Sequence, residues 1–288
     1  MSESPITSQP SVPAAPAQLP GPACLIAVAV GNTRTRVGVF HHAELTESSA
    51  MPNSEIESVV AHVSALLEKL DAADDPVVVI ASVKPSVSGP LVKAIKAVGG
   101  ATVYRVGGAG GGDLPIHINH TLDDEGAKTV GQDRLLNALG AFGRTGQATV
   151  VVDAGTAVTV DFVDGQGTFC GGAIAPGLNM MLDSLDDHAE NLPRVTFEAP
   201  PEDQPFGVNT PAAICLGVSG MIQGLVRALT ERYALSYGGY PQIVATGGDL
   251  GLLEADGVIE HFVPDLQLIG IQVACARALA QTDESDAD

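Results

Sequence analysis

Two short segments of the chain combine glycine with amide, hydroxyl or carboxylate side chains. The first is Gly31-Asn32-Thr33-Arg34-Thr35-Arg36, between two β-rich runs, and the second is Asp153-Ala154-Gly155-Thr156, after a very apolar run. Glycine lets the backbone approach a ligand closely, while amides and hydroxyls donate hydrogen bonds to phosphate oxygens. Asp153 can also hold a cation that neutralises phosphate charge. Either segment alone is explained by an ordinary β-turn, but two of them favour a shared cleft.

A third segment, Gly131-Gln132-Asp133-Arg134, precedes an apolar run. Asp133 is either a helix N-cap or a general base, with Arg134 beside it to bind an anionic group. Two further segments also have two interpretations. Thr246-Gly247-Gly248 is either a tight strand-to-helix turn or a surface beneath an adenine or ribose, and Asn209-Thr210 is either an N-cap before proline or a contributor to a pocket.

Composition excludes several classes of function. The chain has 14 Lys and Arg against 34 Asp and Glu, a net charge of −20, which argues against binding to nucleic acid or to an anionic membrane surface. The longest apolar run, Cys24–Val30, is far shorter than the roughly 20 residues of a membrane span. Its four cysteines form no C-x-x-C pair, which is typical of a cytoplasmic protein with reduced thiols.

The elements that must position these segments follow from hydrophobic periodicity. Strands alternate with helices, so the fold class is α/β, and the second turn repeats the hairpin pattern of the first. We therefore expect two similar lobes, at residues 23–145 and 146–281, between a disordered proline-rich tail (1–22) and an acidic tail (282–288). Strands are predicted at 24–30, 35–40, 76–81, 101–106, 148–153, 157–163 and 242–245, helices at 54–70, 87–98, 133–142, 176–187, 211–233 and 270–280, and a glycine-rich loop at 107–112.

Taken together, these segments resemble the type III pantothenate kinases, which share a superfamily with acetate kinases, sugar kinases, heat-shock chaperones and actin. The similarity extends from about Cys24 to Leu279, and the order and spacing of its motifs make it specific. Those motifs are AVGNTRTRVGVF (29–40), VGQDRLLNALGA (130–141), VVDAGTAVTVD (151–161), GGAIAPGLNMML (171–182), NLP (191–193), NT (209–210) and ATGGDL (245–250).

The resemblance implies two ribonuclease H-like lobes with ATP bound between them, and a homodimer. The reaction would transfer the γ-phosphoryl group of ATP, with Mg²⁺, to the primary hydroxyl of pantothenate, the first step of coenzyme A synthesis. Asp133 would accept the hydroxyl proton, and Asp153 would bind a monovalent cation, K⁺ or NH₄⁺. The implied ATP contacts are Ala29, Val30, Gly31, Asn32, Thr33, Arg34, Thr35, Arg36, Thr156, Gly247 and Gly248, and the implied pantothenate contacts are Gly131, Gln132, Asp133, Arg134 and Thr210.

The chain departs from the family pattern at two positions. Ala29 stands where the first turn of the family has Asp, and Asp124 stands where a substrate-contacting Tyr is common. Losing one preorganised electrostatic group costs about 10²–10³ in rate. The alternative hypotheses are therefore a catalytically impaired, nucleotide-binding relative, or a regulator that acts through another protein. We also expect the loop Thr121–Lys128 to follow a different local path from that of the family.

Overall fold

The computed structural model describes residues 21–70, 75–107, 113–201, 203–254 and 257–285. Most of the predicted proline-rich tail and glycine-rich loop, and the last three residues of the acidic tail, lie outside the described residues. The preceding part of that tail continues the last helix, which extends to Ser285.

Each predicted strand and helix has a counterpart in the structure, with shifted ends. The strands are β1 (Cys24–Val30), β2 (Arg34–His41), β3 (Glu44–Pro52), β4 (Val77–Ser82), β5 (Thr102–Gly107), β6 (Leu114–Pro115), β7 (Thr149–Ala154), β8 (Ala157–Val163), β9 (Phe169–Pro176), β10 (Gln242–Gly247) and β11 (His261–Phe262). The helices are α1 (Ile56–Lys69), α2 (Pro85–Val98), α3 (Asp124–Thr129), α4 (Gln132–Thr145), α5 (Leu178–His188), α6 (Thr210–Tyr237), α7 (Gly251–Glu254) and α8 (Leu266–Ser285).

Two sheets repeat one topology. The first has the strand order β3-β2-β1-β4-β5-β6 and the second β11-β10-β7-β8-β9. In each sheet three consecutive strands form an antiparallel meander, and the first strand of the meander pairs in parallel with a later strand. The duplication that the two hairpins suggested is therefore present in the strand order itself.

The molecule is built in five layers, with two helices shared between the sheets. Helices α1 and α2 cover the outer face of the first sheet, and α5 and α6 cover the outer face of the second. Between the sheets lie α4 and α8, whose apolar residues contact both. A Cβ on Gly140 of α4 or on Gly270 of α8 would overlap the backbone of the other helix, so the two helices cross with their backbones in contact.

Helix α6 is apolar enough to raise the question of a membrane. It is 28 residues long, and one window has a mean hydropathy of 1.6. Its buried residues, among them Val218, Ile222 and Val226, belong to the core of the second sheet. The apolar character of α6 is therefore partly that of a core helix in a layered α/β protein.

Candidate active site

The first turn is held in shape by a side chain from the neighbouring strand. The amide nitrogen of Gly31 donates to the carbonyl of Arg34 at 3.0 Å, which closes the turn. Asn53, which follows β3, donates through Nδ2 to the carbonyl of Gly31 at 2.8 Å and accepts from the hydroxyl of buried Thr35 at 2.8 Å. Its own amide nitrogen donates to the carbonyl of Thr33. Asn32, Thr33 and Arg34 remain exposed and available to a ligand.

Lys84, which belongs to none of the sequence motifs named above, adds a cation to this turn. Its Nζ donates to the carbonyl of Asn32 at 2.7 Å. Lys84 precedes α2, directly after β4, whose parallel partner β1 leads into the first turn. The signal in the sequence is a lysine two residues after the end of a buried strand, where parallel strands of α/β proteins place their ligand-binding residues.

The second turn is held by close backbone packing. The amide of Gly155 donates to the carbonyl of Ala157 at 3.0 Å. Gly177, at the start of α5, and Gly247, at the end of β10, both lie against this turn, and a Cβ at either position would overlap its carbonyl groups. Gly247 also has a φ of 112°, which disfavours any other residue. The predicted role of Gly247 beside a ligand thus coincides with a structural need for glycine.

The two turns meet. The hydroxyl oxygens of Thr33 and Thr156 lie 3.1 Å apart across 123 residues of sequence, and both side chains are exposed. The carboxylate of Asp249, after Gly248, has its pKa raised by burial and lowered by the charge of Arg34, so the first hairpin also faces this segment. Gly248 is exposed, with open space where a side chain would be. The structure therefore brings exposed residues of both turns and Gly248 to one cleft, whereas Val30 and Thr35, which were predicted to contact ATP, are buried.

Asp153 lies in an acidic, largely desolvated environment. Burial, and next the charge of Asp133, raise its pKa to about 6, and the hydrogen bond from Asn137 Nδ2 (2.9 Å) opposes this shift. Asn137 lies four residues after Asp133 on α4, so both face the same side of the helix. A cation would relieve the repulsion between these two carboxylates, and oxygen donors are those that Mg²⁺ prefers. Asp153 and Asp133 therefore fit a metal ion.

The described residues contain no group of three or more His, Cys, Asp or Glu side chains that could hold a metal ion by themselves. A metal ion at Asp153 and Asp133 would thus take further ligands from a phosphate compound or from water. This is the usual way in which Mg²⁺ enters nucleotide sites.

Arg134 is fixed by a carboxylate that the sequence analysis did not single out. Its Nε donates to both carboxylate oxygens of Asp161 at 3.1 Å, and Nη2 also donates to Asp161. Asp161, on β8, is 1% exposed, and burial raises its pKa while Arg134 opposes that shift. The guanidinium also lies over the ring of Phe169, 5.6 Å from its centroid. Asp161 ends the VVDAGTAVTVD segment, so a buried acid late in an apolar strand was the available signal.

Gly131 and Gln132 line a cavity beside α4. Gln132 Nε2 donates to the carbonyl of Ser82, whereas its Oε1 is buried without a hydrogen-bond partner. The cavity measures about 460 Å³ and is also lined by Lys128 and Arg105. The two cations are suited to a small molecule with a carboxylate.

Two expectations near the site have mixed outcomes. Thr210 begins α6 and is exposed, and Asn209 is the N-cap, whose side chain accepts from the amide of Ala212 at 2.9 Å. Among the described residues, no hydrogen bond joins Thr210 to residues 131–134, with which it was predicted to bind pantothenate. The predicted loop Thr121–Lys128 instead contains most of α3, because Asp123 caps this helix by accepting from the amide of Gly126 at 2.7 Å. Asp124 lies exposed in the first turn of α3.

Comparisons with known proteins agree with this geometry. The sequence profile of the type III pantothenate kinases matches residues 25–232. A type III pantothenate kinase of Geotalea uraniireducens is 31% identical over 88% of this chain and 98% of the relative. A type III pantothenate kinase of Rubrobacter xylanophilus is 34% identical over 88% of this chain and 97% of the relative. A solved structure described as a Baf family transcriptional activator of Campylobacter jejuni has a TM-score of 0.50 at 17% identity, with 90% of this chain and 99% of that one covered.

The duplicated sheets and the meeting of their turns define a two-lobed α/β protein with its site at the cleft between the sheets. Within that class, the chain belongs to the type III pantothenate kinase family.

Proposed function

We propose that this protein phosphorylates pantothenate with ATP to give 4'-phosphopantothenate, which is the first step of coenzyme A synthesis. The observation that carries the proposal is the meeting of the two turns at Thr33 and Thr156, with Asp153 and the start of α4 beside them. Phosphoryl transfer depends mainly on positioning and on charge neutralisation, and this cleft supplies both.

The two turns would hold the triphosphate. Backbone amides and the hydroxyls of Thr33 and Thr156 donate to its oxygens, and Arg34, Arg36 and Lys84 supply positive charge in a chain whose net charge is −20. Asp153, together with Asp133, would hold the metal ion that accompanies ATP. We also propose a monovalent cation at Asp153, because burial of this carboxylate near Asp133 raises its pKa to about 6 and a cation would relieve that cost.

Asp133 would accept the proton of the attacking hydroxyl. One of its oxygens, Oδ1, accepts from the amide of Arg134 at 2.9 Å, which fixes the carboxylate at the first turn of α4. A general base contributes typically 10²–10⁴ in rate. Arg134, held by Asp161 through Nε and Nη2, keeps Nη1 for the substrate.

The cavity lined by Gly131 and Gln132 would take the rest of pantothenate. Lys128 and Arg105 would bind the carboxylate. Asp124 is not among the residues that line this cavity. Its negative charge is therefore compatible with an anionic substrate.

The direct test is ADP release by the purified chain with ATP, Mg²⁺, K⁺ and pantothenate. We expect turnover that requires pantothenate, and Asp133→Asn should lower kcat by about 10²–10⁴ while the Kd for nucleotide stays within about twofold. Asp124→Asn is the matched control, and its kcat should stay within about threefold of the natural chain. Equal losses in both variants, or no pantothenate-dependent turnover, would contradict the proposal.

We also propose that the enzyme is a cytoplasmic homodimer. The outward face of α6 carries exposed apolar side chains, among them Met221 (61% exposed) and Leu235 (76%), and exposed Met180 lies on neighbouring α5. Burial of such a face against a second copy would remove apolar surface from water. Light scattering on the full chain would give the mass of two copies, and a monomer at micromolar concentration would argue against it.

The regulatory alternative has less support. The net charge of −20 opposes direct contact with DNA. The impaired-kinase alternative rests on Ala29, and the surroundings of that residue lead to a different interpretation.

A further inference from the structure

Ala29 lies directly opposite Arg36 in the first sheet. The two residues are register partners in the antiparallel pair of β1 and β2. Directly opposed residues project to the same face of a sheet, with their Cβ atoms about 4.5–5.5 Å apart. Ala29 is 2% exposed and belongs to the core that packs against α8. Arg36 therefore also projects from the face of the first sheet that is directed toward the second sheet.

Arg36 is held in place on that face by a residue from the other half of the chain. Its Nη1 donates to Asp265 Oδ1 at 3.2 Å, and the second oxygen of Asp265 accepts from the hydroxyl of Ser48 at 2.9 Å. Asp265 directly precedes α8. The side chain of Arg36 is 28% exposed, so the guanidinium is anchored by Asp265 and still partly exposed.

The charge of Arg36 reaches the second turn. It acts on Asp153, whose pKa it lowers against the larger effect of burial. The guanidinium therefore lies within electrostatic range of the carboxylate that would hold the metal ion. A triphosphate bound between the two turns would lie close to both groups.

Phosphate charge can be neutralised by a metal ion on a carboxylate or by a fixed guanidinium. Residues 29–36 contain two arginines and no carboxylate. The first turn can therefore neutralise phosphate charge with a guanidinium but cannot hold a metal ion on a carboxylate of its own. On the proposed function, we propose that the anchored guanidinium of Arg36 binds the phosphates of ATP directly at the first turn, in place of a metal ion held there. With Ala at position 29, β1 places no second carboxylate opposite Arg36, whose partner is Asp265.

The variant Ala29→Asp distinguishes a phosphate-binding Arg36 from an enzyme that is impaired because it lacks the carboxylate at position 29. In an impaired enzyme, Ala29→Asp should raise activity. If Arg36 binds the phosphates, the new carboxylate would pair with the facing guanidinium and weaken nucleotide binding. One charge-assisted hydrogen bond corresponds to about 10- to 100-fold in affinity.

The experiment measures the Kd of a fluorescent ATP analogue for the full chain, in EDTA and in Mg²⁺. We expect the natural chain to bind in both solutions, with a difference of less than about tenfold. In EDTA, Arg36→Met and Ala29→Asp should each weaken binding by about 10- to 100-fold, and Arg36→Lys by less than Arg36→Met. The double variant Ala29→Asp with Arg36→Met should bind well only in Mg²⁺, since its first turn again offers a carboxylate.

Arg144→Met is the matched control, since Arg144 is an exposed arginine at the far end of α4 from Asp133. A loss in Arg36→Met no larger than in Arg144→Met overturns the proposal, and so does tighter binding by Ala29→Asp. If Arg36→Met does not fold, the Kd of Ala29→Asp still tests the proposal. Failure of the natural chain to bind nucleotide in either solution would instead contradict the proposed function.

Discussion

The two turns occupy equivalent places in equivalent sheets and have opposite character. The first is exposed and cationic, and the side chain of Asn53 supports it from an adjacent strand. The second contains the largely desolvated carboxylate of Asp153 and is held by backbone packing against Gly177 and Gly247. A duplicated topology therefore fixes where the turns lie, while their side chains decide which charge each one presents. Three mutations would break or sharpen this comparison.

The largest effect on stability is expected at Gly177, which packs against the backbone of the second turn with no room for a side chain. An added Cβ would overlap the carbonyl oxygens of Gly155 and Thr156, which are backbone atoms and cannot rotate away. Gly177→Ala should therefore cost about 3–5 kcal/mol in the free energy of unfolding. Urea denaturation measures this cost.

Gly217→Ala is the control for Gly177→Ala, since Gly217 lies inside α6 with open space around it. It should gain about 0.5–1 kcal/mol from helix propensity. Similar stabilities of the two variants would show that backbone packing does not support the second turn.

Asp153→Asn should stabilise the metal-free protein while removing activity. Folding raises the pKa of this carboxyl from 3.8 to about 6, because burial and Asp133 oppose its charge. A raised pKa destabilises the folded state as pH rises past 3.8, and the cost is complete above about 6. At pH 8 the variant should be more stable by up to about 3 kcal/mol, and at pH 4 by much less.

Denaturation at both pH values, without metal, checks this prediction. Asp183→Asn, at an exposed carboxylate on α5, should change stability by less than about 0.5 kcal/mol at either pH. A stability gain of Asp153→Asn that is equal at pH 4 and pH 8 would contradict the charge explanation.

The smallest effect is expected at Asn53 of the first turn. Asn53→Ala removes two hydrogen bonds and leaves the hydroxyl of buried Thr35 without its acceptor. We expect a loss of about 2 kcal/mol in unfolding free energy and weaker nucleotide binding. Thermal melts and the Kd for nucleotide give the two readouts, and Asn32→Ala at the exposed tip should leave stability within about 0.5 kcal/mol.

Hydrophobic periodicity predicted the strands and helices that line the site, including both hairpins. It missed β3 because ELTESSAMP is mostly polar, as an exposed strand can be, and it missed β9, which contains two glycines. Helix α3 was missed because its six residues carry no buried face, and only the cap by Asp123 marks it.

Asp161, Asp265 and Lys84 were not singled out in the sequence because their roles depend on contacts between distant segments. Asp161 meets Arg134 from another element, and Asp265 meets Arg36 across 229 residues. Periodicity reports which face of an element is apolar, and it contains no information about which elements become neighbours.

The crossing of α4 and α8 has a consequence for how the enzyme works as a unit. Asp133 lies at the start of α4, Asp265 directly precedes α8, and the two helices touch through Gly140 and Gly270. Sliding of one helix along the other would change the spacing between Asp133, the proposed proton acceptor, and Asp265, which anchors Arg36. Backbone contact at Gly140 and Gly270 thus fixes the distance between Asp133 and Asp265, and a bulkier residue at either glycine would displace the two together.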